Sequence, residues 1–199
     1  MKEKIIFSIA FMKTKYILHG GYAGKPHKNN DKFFKEILKG RQKNLKILLV
    51  YFAKEKKDYK RKEEEDVFQF EKNNSNKKLF FEIAKRKNFV KQISRSNVIY
   101  LHGGKTMELL LALRDVNNLK ELFAGKVIVG ESAGVYVLSS FFYSKSLKGV
   151  FNGLAFVPVK TICHYVGKNS EKFKECPKGL KTLLLPDFQY KVFYIDTKK

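Results

Sequence analysis

A serine between two glycines follows a short run of β-branched residues. The sequence reads Val-Ile-Val over residues 127–129 and Gly-Glu-Ser-Ala-Gly over residues 130–134. A strand that turns sharply into a helix holds its serine in a strained conformation, with the hydroxyl projecting from the end of the sheet. The pattern therefore predicts a nucleophile elbow, with Ser132 as the candidate nucleophile. The alternative is a glycine-rich turn in which this serine only caps a helix.

A serine nucleophile needs a base, and a third group must orient that base. The chain contains four histidines, at His19, His27, His102 and His164. All except His27 follow apolar runs typical of strands, and functional residues collect at the carboxyl ends of parallel strands. His164 is the candidate base, and Asp187, between two apolar stretches, could orient it. An edge histidine and a turn aspartate are the alternative interpretations of these two residues.

The negative oxygen of a tetrahedral intermediate needs two N–H donors. The backbone N–H of Ala133, directly after the candidate nucleophile, is one candidate. Gly103 and Gly104 offer the other, because glycine lets a backbone approach a ligand closely. A tight turn from strand to helix would also require glycine there, and the two interpretations are compatible.

The two cysteines, Cys163 and Cys176, have neither metal-ligand spacing nor the density of a disulfide framework. Both are expected to be reduced. Cys163 does not lie at an elbow and is interpreted as a small buried apolar residue. No group of His, Asp or Glu residues has the spacing of metal ligands, so neither a metal nor a cofactor is expected.

Strands and helices alternate along the first two thirds of the chain. Apolar runs predict buried strands at residues 16–18, 45–52, 97–101 and 126–129, with a weaker pattern at 79–84. The spacing of apolar and charged residues predicts helices at residues 31–38, 58–71, 89–93, 107–113 and 119–123. This alternation predicts an α/β sandwich with a mostly parallel central sheet, in one domain over residues 1–199.

The last third of the chain has less regular patterns. An apolar segment predicts that the helix after Ser132 runs to about Phe142, and residues 149–159 are expected to be irregular. Residues 161–165 predict a short strand that carries a histidine. Two apolar stretches around residues 186–190 predict a β-hairpin.

The composition indicates a folded, strongly basic protein. Of 199 residues, 44% are hydrophobic, and 41 Lys and Arg against 19 Asp and Glu give a net charge of +22. Such a charge fits nucleic acid or an anionic membrane. The lysines are scattered along the chain, however, so neither partner is expected. The expected partner is a short peptide substrate, and the chain is expected to be a monomer or a homodimer.

The amino-terminal residues weakly resemble a signal peptide. The apolar run is short, no small-residue cleavage site follows it, and no run in the chain approaches the length of a membrane span. A cytoplasmic location is therefore expected. Residues 1–14 are expected to be a disordered or mis-started extension, with Met12 as an alternative start.

Four segments together resemble peptidase family S51, the serine peptidases that include dipeptidase E and cyanophycinase. Residues 101–106, Leu-His-Gly-Gly-Lys-Thr, resemble the Gly-Gly-Asn-Thr loop of that family, and residues 130–134 resemble its elbow. His164-Tyr165 and Pro-Asp-Phe-Gln at 186–189 complete the pattern. The resemblance implies a class I glutamine amidotransferase-like (flavodoxin-like) fold, a three-layer α/β sandwich.

The same resemblance implies a catalytic triad. Its members would be Ser132 as nucleophile, His164 as general base and acid, and Asp187 as the orienting carboxylate. Residues 139–156 contain no Asp or Glu, which favours Asp187 over an acid placed before the histidine. Characterised members of the family cleave peptides next to aspartate. The expected activity is therefore hydrolysis of short peptides, Asp-containing dipeptides among them.

Two residues depart from the family pattern. Lys105 stands where the family usually has Asn, and His102 stands at its first loop glycine. Lys105 could alter substrate binding or occlude the site. The alternative function is thus a catalytically inactive protein that binds a small ligand on the same fold. A glutamine amidotransferase would need cysteine at position 132, and an α/β-hydrolase would place its acid before its histidine.

Overall fold

Strands and helices alternate in the computed structural model, which describes residues 11–40 and 42–198. The strands and α-helices follow in the order β1 (Phe11–His19), α1 (Lys28–Ile37), β2 (Asn44–Val50), α2 (Tyr59–Lys72), β3 (Lys78–Ile83), α3 (Phe89–Ser94), β4 (Val98–Leu101), α4 (Thr106–Arg114), α5 (Leu119–Phe123), β5 (Val127–Glu131), α6 (Ala133–Leu138), β6 (Ser139–Ser144), β7 (Gly149–Asn152), β8 (Val157–Cys163), β9 (Lys181–Leu185) and β10 (Tyr190–Lys198).

A six-stranded sheet forms the centre of the fold. Its strand order is β10-β1-β5-β4-β2-β3, and every neighbouring pair is parallel except β10 with β1. Strands β4 and β5 are buried almost throughout, which explains their continuous apolar sequences. The predicted mostly parallel central sheet is confirmed.

Helices cover both faces of this sheet. On one face, Phe33 and Phe34 of α1 and Phe70 of α2 pack in one core with strand residues. On the other face, Leu109 of α4 and Phe123 of α5 belong to a second core, to which α3 and α6 also contribute. Each of these fully buried side chains contributes about 1.5–3 kcal/mol to folding. The predicted three-layer α/β sandwich is therefore confirmed.

A second, four-stranded sheet was not predicted. Its order is β7-β6-β8-β9, with β6, β8 and β9 parallel to one another and β7 antiparallel at the edge. The helix predicted to reach Phe142 ends at Leu138, and β6 begins at Ser139. Ser139 Oγ donates to the Val135 carbonyl at 2.8 Å and contacts Thr161 Oγ1 on β8, also at 2.8 Å. These contacts tie the chain to β8 where the helix was expected to continue.

Two further predictions for the last third were wrong. Residues 149–159 are not irregular throughout, because they include β7 and the start of β8. The hairpin predicted around residues 186–190 is instead a crossing between sheets, since β9 pairs with β8 whereas β10 pairs with β1. Which sheet a strand joins depends on the distant strand that it pairs with, and local sequence patterns do not specify that partner.

The amino-terminal prediction is only partly covered by the structure. Residues 11–14, which include Met12, belong to β1 and pair with β10. Residues 1–10 lie outside the described residues. No helix in the described part of the chain combines the length and apolarity needed to cross a bilayer.

Candidate active site

Ser132 lies at the tight turn between β5 and α6. Its backbone has φ +48° and ψ −99°, a conformation that residues with a side chain adopt at a cost of about 1–3 kcal/mol. The Ser132 N–H donates to the His19 carbonyl at 2.9 Å, and Tyr136 N–H donates to the Ser132 carbonyl at 3.1 Å. A Cβ on Gly134 would lie 2.4 Å from the Leu101 carbonyl oxygen, so α6 can approach β4 only with glycine there.

His164 connects Ser132 to Asp187. Its Nε2 lies 2.9 Å from Ser132 Oγ, and its Nδ1 lies 2.6 Å from Asp187 Oδ1. A carboxylate can only accept, so Nδ1 carries the proton and a neutral ring has its lone pair on Nε2, facing the serine. All three side chains are partly exposed, so a substrate can reach them.

The backbone around His164 holds its ring in place. Its N–H donates to the Gly20 carbonyl at 3.2 Å, and Lys145 Nζ donates to its carbonyl at 2.8 Å. Gly21 has φ +143°, and a Cβ there would lie 2.1 Å from His164 Cε1. The ring of Tyr22 contacts His164 edge to face, with 5.3 Å between centroids. The loop after β1 therefore forms one wall beside the histidine.

The other three histidines have different partners. His19 is buried; its Nδ1 accepts from Gly21 N–H at 3.2 Å and its Nε2 donates to Asn30 Oδ1 at 2.9 Å. Burial lowers the pKa of His19, consistent with this neutral form. His27 caps α1, and His102 contacts the Gly103 carbonyl. Among the described histidines, the structure brings only His164 to Ser132.

The candidate oxyanion donors differ in availability. Gly103 N–H donates to Glu131 Oε2 at 3.3 Å and is therefore occupied. The N–H groups of Gly104 and Ala133 have no acceptor within the part of the chain that the structure describes. They are the two candidate donors that a substrate oxygen can use.

Lys105 points away from the cavity next to Ser132. Its ammonium lies 3.6 Å from Glu55 and 3.3 Å from Glu108, on the surface. It does not contribute to the described lining of the cavity, whereas its neighbours Gly103 and Gly104 do. This geometry gives Lys105 no contact with Ser132 or His164.

A cavity of about 640 Å³ opens in front of Ser132 and His164. Four cationic side chains line it, at Lys25, Lys54, Arg61 and Lys62, together with the carboxylates of Glu65 and Glu131. Another cavity, of about 620 Å³, lies near the amino ends of β2, β4 and β5, at the opposite end of the sheet. The chemistry-bearing residues therefore meet at the carboxyl ends of the strands, as in other open α/β sheets.

The four cationic side chains that line this cavity are not equivalent. Arg61 and Lys62 both pair with Glu65. Lys25 and Lys54 have no ion pair within the described residues. Lys25 lies over the Tyr22 ring, 4.1 Å from its centroid, and burial lowers the pKa of Lys54 despite the nearby charge of Glu131. An unpaired, half-buried ammonium at the cavity is available to an anionic group of a ligand.

The buried acid next to the candidate nucleophile was not predicted from the sequence. Glu131 is 6% exposed, and His102 lies between it and a second buried acid, Asp66. Glutamate directly before the candidate nucleophile was a visible signal, but its partners lie far away in the sequence. The cationic lining of the cavity was also not predicted. Arg61 and Lys62 belong to a helix whose charge pattern predicted only that it is exposed.

Comparison with known proteins gave matches at the level of family and fold. The profile of peptidase family S51 matches residues 17–183. A crystal structure provisionally assigned as a peptidase E protein from Listeria monocytogenes EGD-e superposes with a TM-score of 0.64 and 18% identity, covering 94% of this chain and 99% of that one. The crystal structure of a peptidase from an acI-B1 Actinobacterium superposes with a TM-score of 0.63 and 16% identity, covering 98% of this chain and 91% of that one. Among curated protein sequences, none matches this chain.

Proposed function

Because the chain belongs to peptidase family S51 and is therefore a serine peptidase, we propose that it hydrolyses short peptides with a Ser132-His164-Asp187 triad. The observation that carries this proposal is the continuous contact from Ser132 Oγ through His164 to Asp187, at 2.9 and 2.6 Å. Both distances are those of hydrogen bonds. A serine held by an elbow and bonded to an oriented imidazole is the arrangement that nucleophilic catalysis requires.

Each member of the triad has one task. His164 Nε2 takes the proton from Ser132 as Oγ attacks the scissile carbonyl, and it later gives that proton to the leaving amine. Asp187 keeps the proton of the resting ring on Nδ1 and stabilises the imidazolium that forms. Water then enters, loses a proton to His164 and releases the acyl group from Ser132.

The negative oxygen of the tetrahedral intermediate is stabilised by backbone donors. We assign this role to the N–H groups of Gly104 and Ala133, which no acceptor within the described chain occupies. Donors held in place before the reaction need no reorganisation when charge develops. One such donor typically contributes about 10²–10³ in rate.

The cavity wall supports acidic peptides as the substrate class. Lys25 and Lys54 have no carboxylate partner in the described chain, whereas Glu65 engages Arg61 and Lys62. Lys25 lies over the Tyr22 ring, 4.1 Å from its centroid, which leaves Lys54 as the cation with neither an ion pair nor an aromatic partner among the described residues. A substrate carboxylate would pair with Lys54, where partial burial strengthens the attraction. A cavity of about 640 Å³ accommodates a short peptide. Asp-containing dipeptides are therefore the first substrates to test.

Probe labelling and peptide hydrolysis test this proposal together. A fluorophosphonate is expected to label the wild type but not Ser132→Ala, and His164→Ala is expected to slow labelling at least 10³-fold. Ser140→Ala, which changes a serine on β6, is the matched control and should label normally. A panel of Asp-X, Glu-X and Ala-X dipeptides then reports turnover and selectivity.

The outcomes separate an enzyme from the alternative binding protein. Labelling that depends on Ser132, together with release of amino acids from acidic dipeptides, supports the proposed peptidase. A folded protein that neither reacts with the probe nor hydrolyses any peptide would overturn the triad and favour a ligand-binding role. We also propose a cytoplasmic location and a monomeric or homodimeric state, the latter measurable by light scattering.

A further inference from the structure

We propose that Glu131 is a positioning residue that holds the loops on both sides of the nucleophile and thereby aims the oxyanion donor Gly104. This proposal rests on the proposed function, since it concerns the same site. It assigns a role to the buried carboxylate directly before Ser132, which the triad mechanism does not use.

The two oxygens of Glu131 serve two different loops. Oε1 accepts from Ala23 N–H at 3.0 Å, and Oε2 accepts from Gly103 N–H at 3.3 Å. Ala23 lies in the loop after β1 and Gly103 in the loop after β4, and β5 runs between these two strands. Glu131 ends β5, so one carboxylate bridges the strand ends on both sides of Ser132.

Glu131 is a buried carboxylate. The residue is 6% exposed, and a buried charge is stable only when it is paired and hydrogen-bonded. Burial alone would raise its pKa, but His102, with Nδ1 3.4 Å from Oε2, and the Ala23 and Gly103 donors outweigh burial and lower it to about 2. The carboxylate therefore stays ionised and keeps both N–H groups turned toward it.

The bridge determines where the next donor points. His102 Nδ1 lies 3.0 Å from the Gly103 carbonyl oxygen, and that carbonyl shares one peptide unit with Gly104 N–H. In a trans peptide, C=O and N–H point in opposite directions. Glu131 fixes the Gly103 N–H and His102 fixes the following carbonyl, so the direction of Gly104 N–H is set.

The same carboxylate supports the histidine side of the site. The loop that contains Ala23 also contains Gly20, whose carbonyl accepts from His164 N–H at 3.2 Å. Asn30 Nδ2 donates to two other carbonyls of this loop, at Tyr22 (2.8 Å) and Lys25 (2.7 Å). Glu131 thus links the loop beside the base to the loop that carries the oxyanion donor.

Glu131→Gln is the informative substitution because it keeps the shape and removes one acceptor. A glutamine amide has a single acceptor oxygen, and its NH₂ group would face an N–H donor. One of the two loops would therefore lose its bridge. We expect kcat to fall about 10–100-fold with KM changed less than about 3-fold, since orientation matters most in the transition state. Glu82→Gln is the matched control. Glu82 lies on β3, and its carboxylate accepts hydrogen bonds from Gln92 and Arg95.

Two further readouts distinguish positioning from general stability. A peptide boronic acid, which forms a tetrahedral anion on the serine, should lose about 10–100-fold in affinity for Glu131→Gln, in step with kcat. Hydrogen exchange at Ala23 or Gly103 should accelerate in this variant and not in Glu82→Gln. If Glu131→Gln fails to fold, Glu131→Asp, whose shorter chain cannot reach both loops, takes its place.

Each outcome decides the proposal. Unchanged exchange at both amides would overturn the bridge, and faster exchange with unchanged kcat and boronate affinity would overturn the positioning role. A wild-type protein that hydrolyses no peptide and binds no boronate would overturn the proposed function instead. The exchange measurement on that same protein would still decide whether Glu131 bridges the loops.

Discussion

His164 Nδ1 lies 2.6 Å from Asp187 Oδ1, although the two residues are 23 positions apart. They follow β8 and β9, which are parallel neighbours in the second sheet. The chain leaves β9 through Asp187 and enters β10 in the central sheet. The carboxylate therefore lies where the two sheets meet, beside the elbow at the end of β5.

Asp187→Asn should reduce kcat by about 10³–10⁴-fold with little change in KM, because an amide does not hold the ring in the productive tautomer. Steady-state kinetics on an acidic dipeptide would measure the loss. Asp196→Asn, which alters an exposed aspartate on β10, should behave as wild type. Activity of Asp187→Asn within about threefold of wild type would mean that another group orients His164.

Gly21→Ala should displace His164, the proposed general base. The new Cβ would lie 2.1 Å from His164 Cε1, so the ring must move away from Ser132. We expect at least about a 100-fold loss of kcat, as is typical for a displacement of about 1 Å. Gly40→Ala is the matched control, because Gly40 also has a positive φ, +132°, but no atom of the described residues lies within 4 Å of its Cβ position. Equal loss of activity in both variants would attribute the effect to backbone strain alone.

Asp66→Asn should stabilise the protein at alkaline pH. Burial raises the pKa of Asp66 from 3.8 to about 6, although His102 opposes this. A raised carboxyl pKa contributes stability that is fully present below pH 3.8 and is lost as the pH rises through about 6. Wild type therefore carries a penalty on the order of 3 kcal/mol at pH 8 that Asn does not have.

Urea unfolding of Asp66→Asn at pH 4 and pH 8 would test this sign. The variant should gain free energy of unfolding relative to wild type at pH 8 and gain little at pH 4. Asp115→Asn, at an exposed position after α4, controls for loss of a negative charge. A gain of the same size at both pH values would exclude titration of Asp66 as the cause.

Lys54→Gln should weaken binding of acidic substrates selectively. Removing the unpaired ammonium should raise KM for an Asp-X dipeptide about tenfold and change KM for Ala-X less than about twofold, because only the former offers a side-chain carboxylate. Lys120→Gln, on α5, is the control. The same change in KM for both dipeptides would assign Lys54 a role unrelated to substrate charge.

Lys105→Asn, which introduces the residue usual in the family, should change kcat/KM less than about threefold. The Lys105 ammonium pairs with Glu55 and Glu108 on the surface, where solvent screens the ion pairs and leaves them little effect on stability. Kinetics and thermal unfolding of the same sample would measure both effects. A large gain in activity would show that Lys105 obstructs the cavity in solution.

Local patterns in the sequence were sufficient for the parallel strands of the central sheet and for a serine at a strand-to-helix turn, but not for the pairing of β10 with β1. The apolar runs of β2, β4 and β5 are long enough to indicate burial on both faces, and helices separate them in the chain. The second sheet escaped prediction because β6 follows α6 without a break. Its apolar residues extend the pattern of the helix, and only pairing with β8 makes them a strand.

The sequence by itself determined a small set of candidate groups: a serine at an elbow, three histidines after strands, and a glycine pair. Strand patterns alone left three of the histidines open, because each follows an apolar run, and the resemblance to family S51 favoured His164. In the tertiary structure the crossing from β9 to β10 brings Asp187 to His164, and His164 is the histidine among the described residues that contacts Ser132. The tertiary structure also places Ala23 and Gly103 against Glu131, 108 and 28 positions away. Such contacts form between strand ends that only the folded sheet brings together, so no local pattern encodes them.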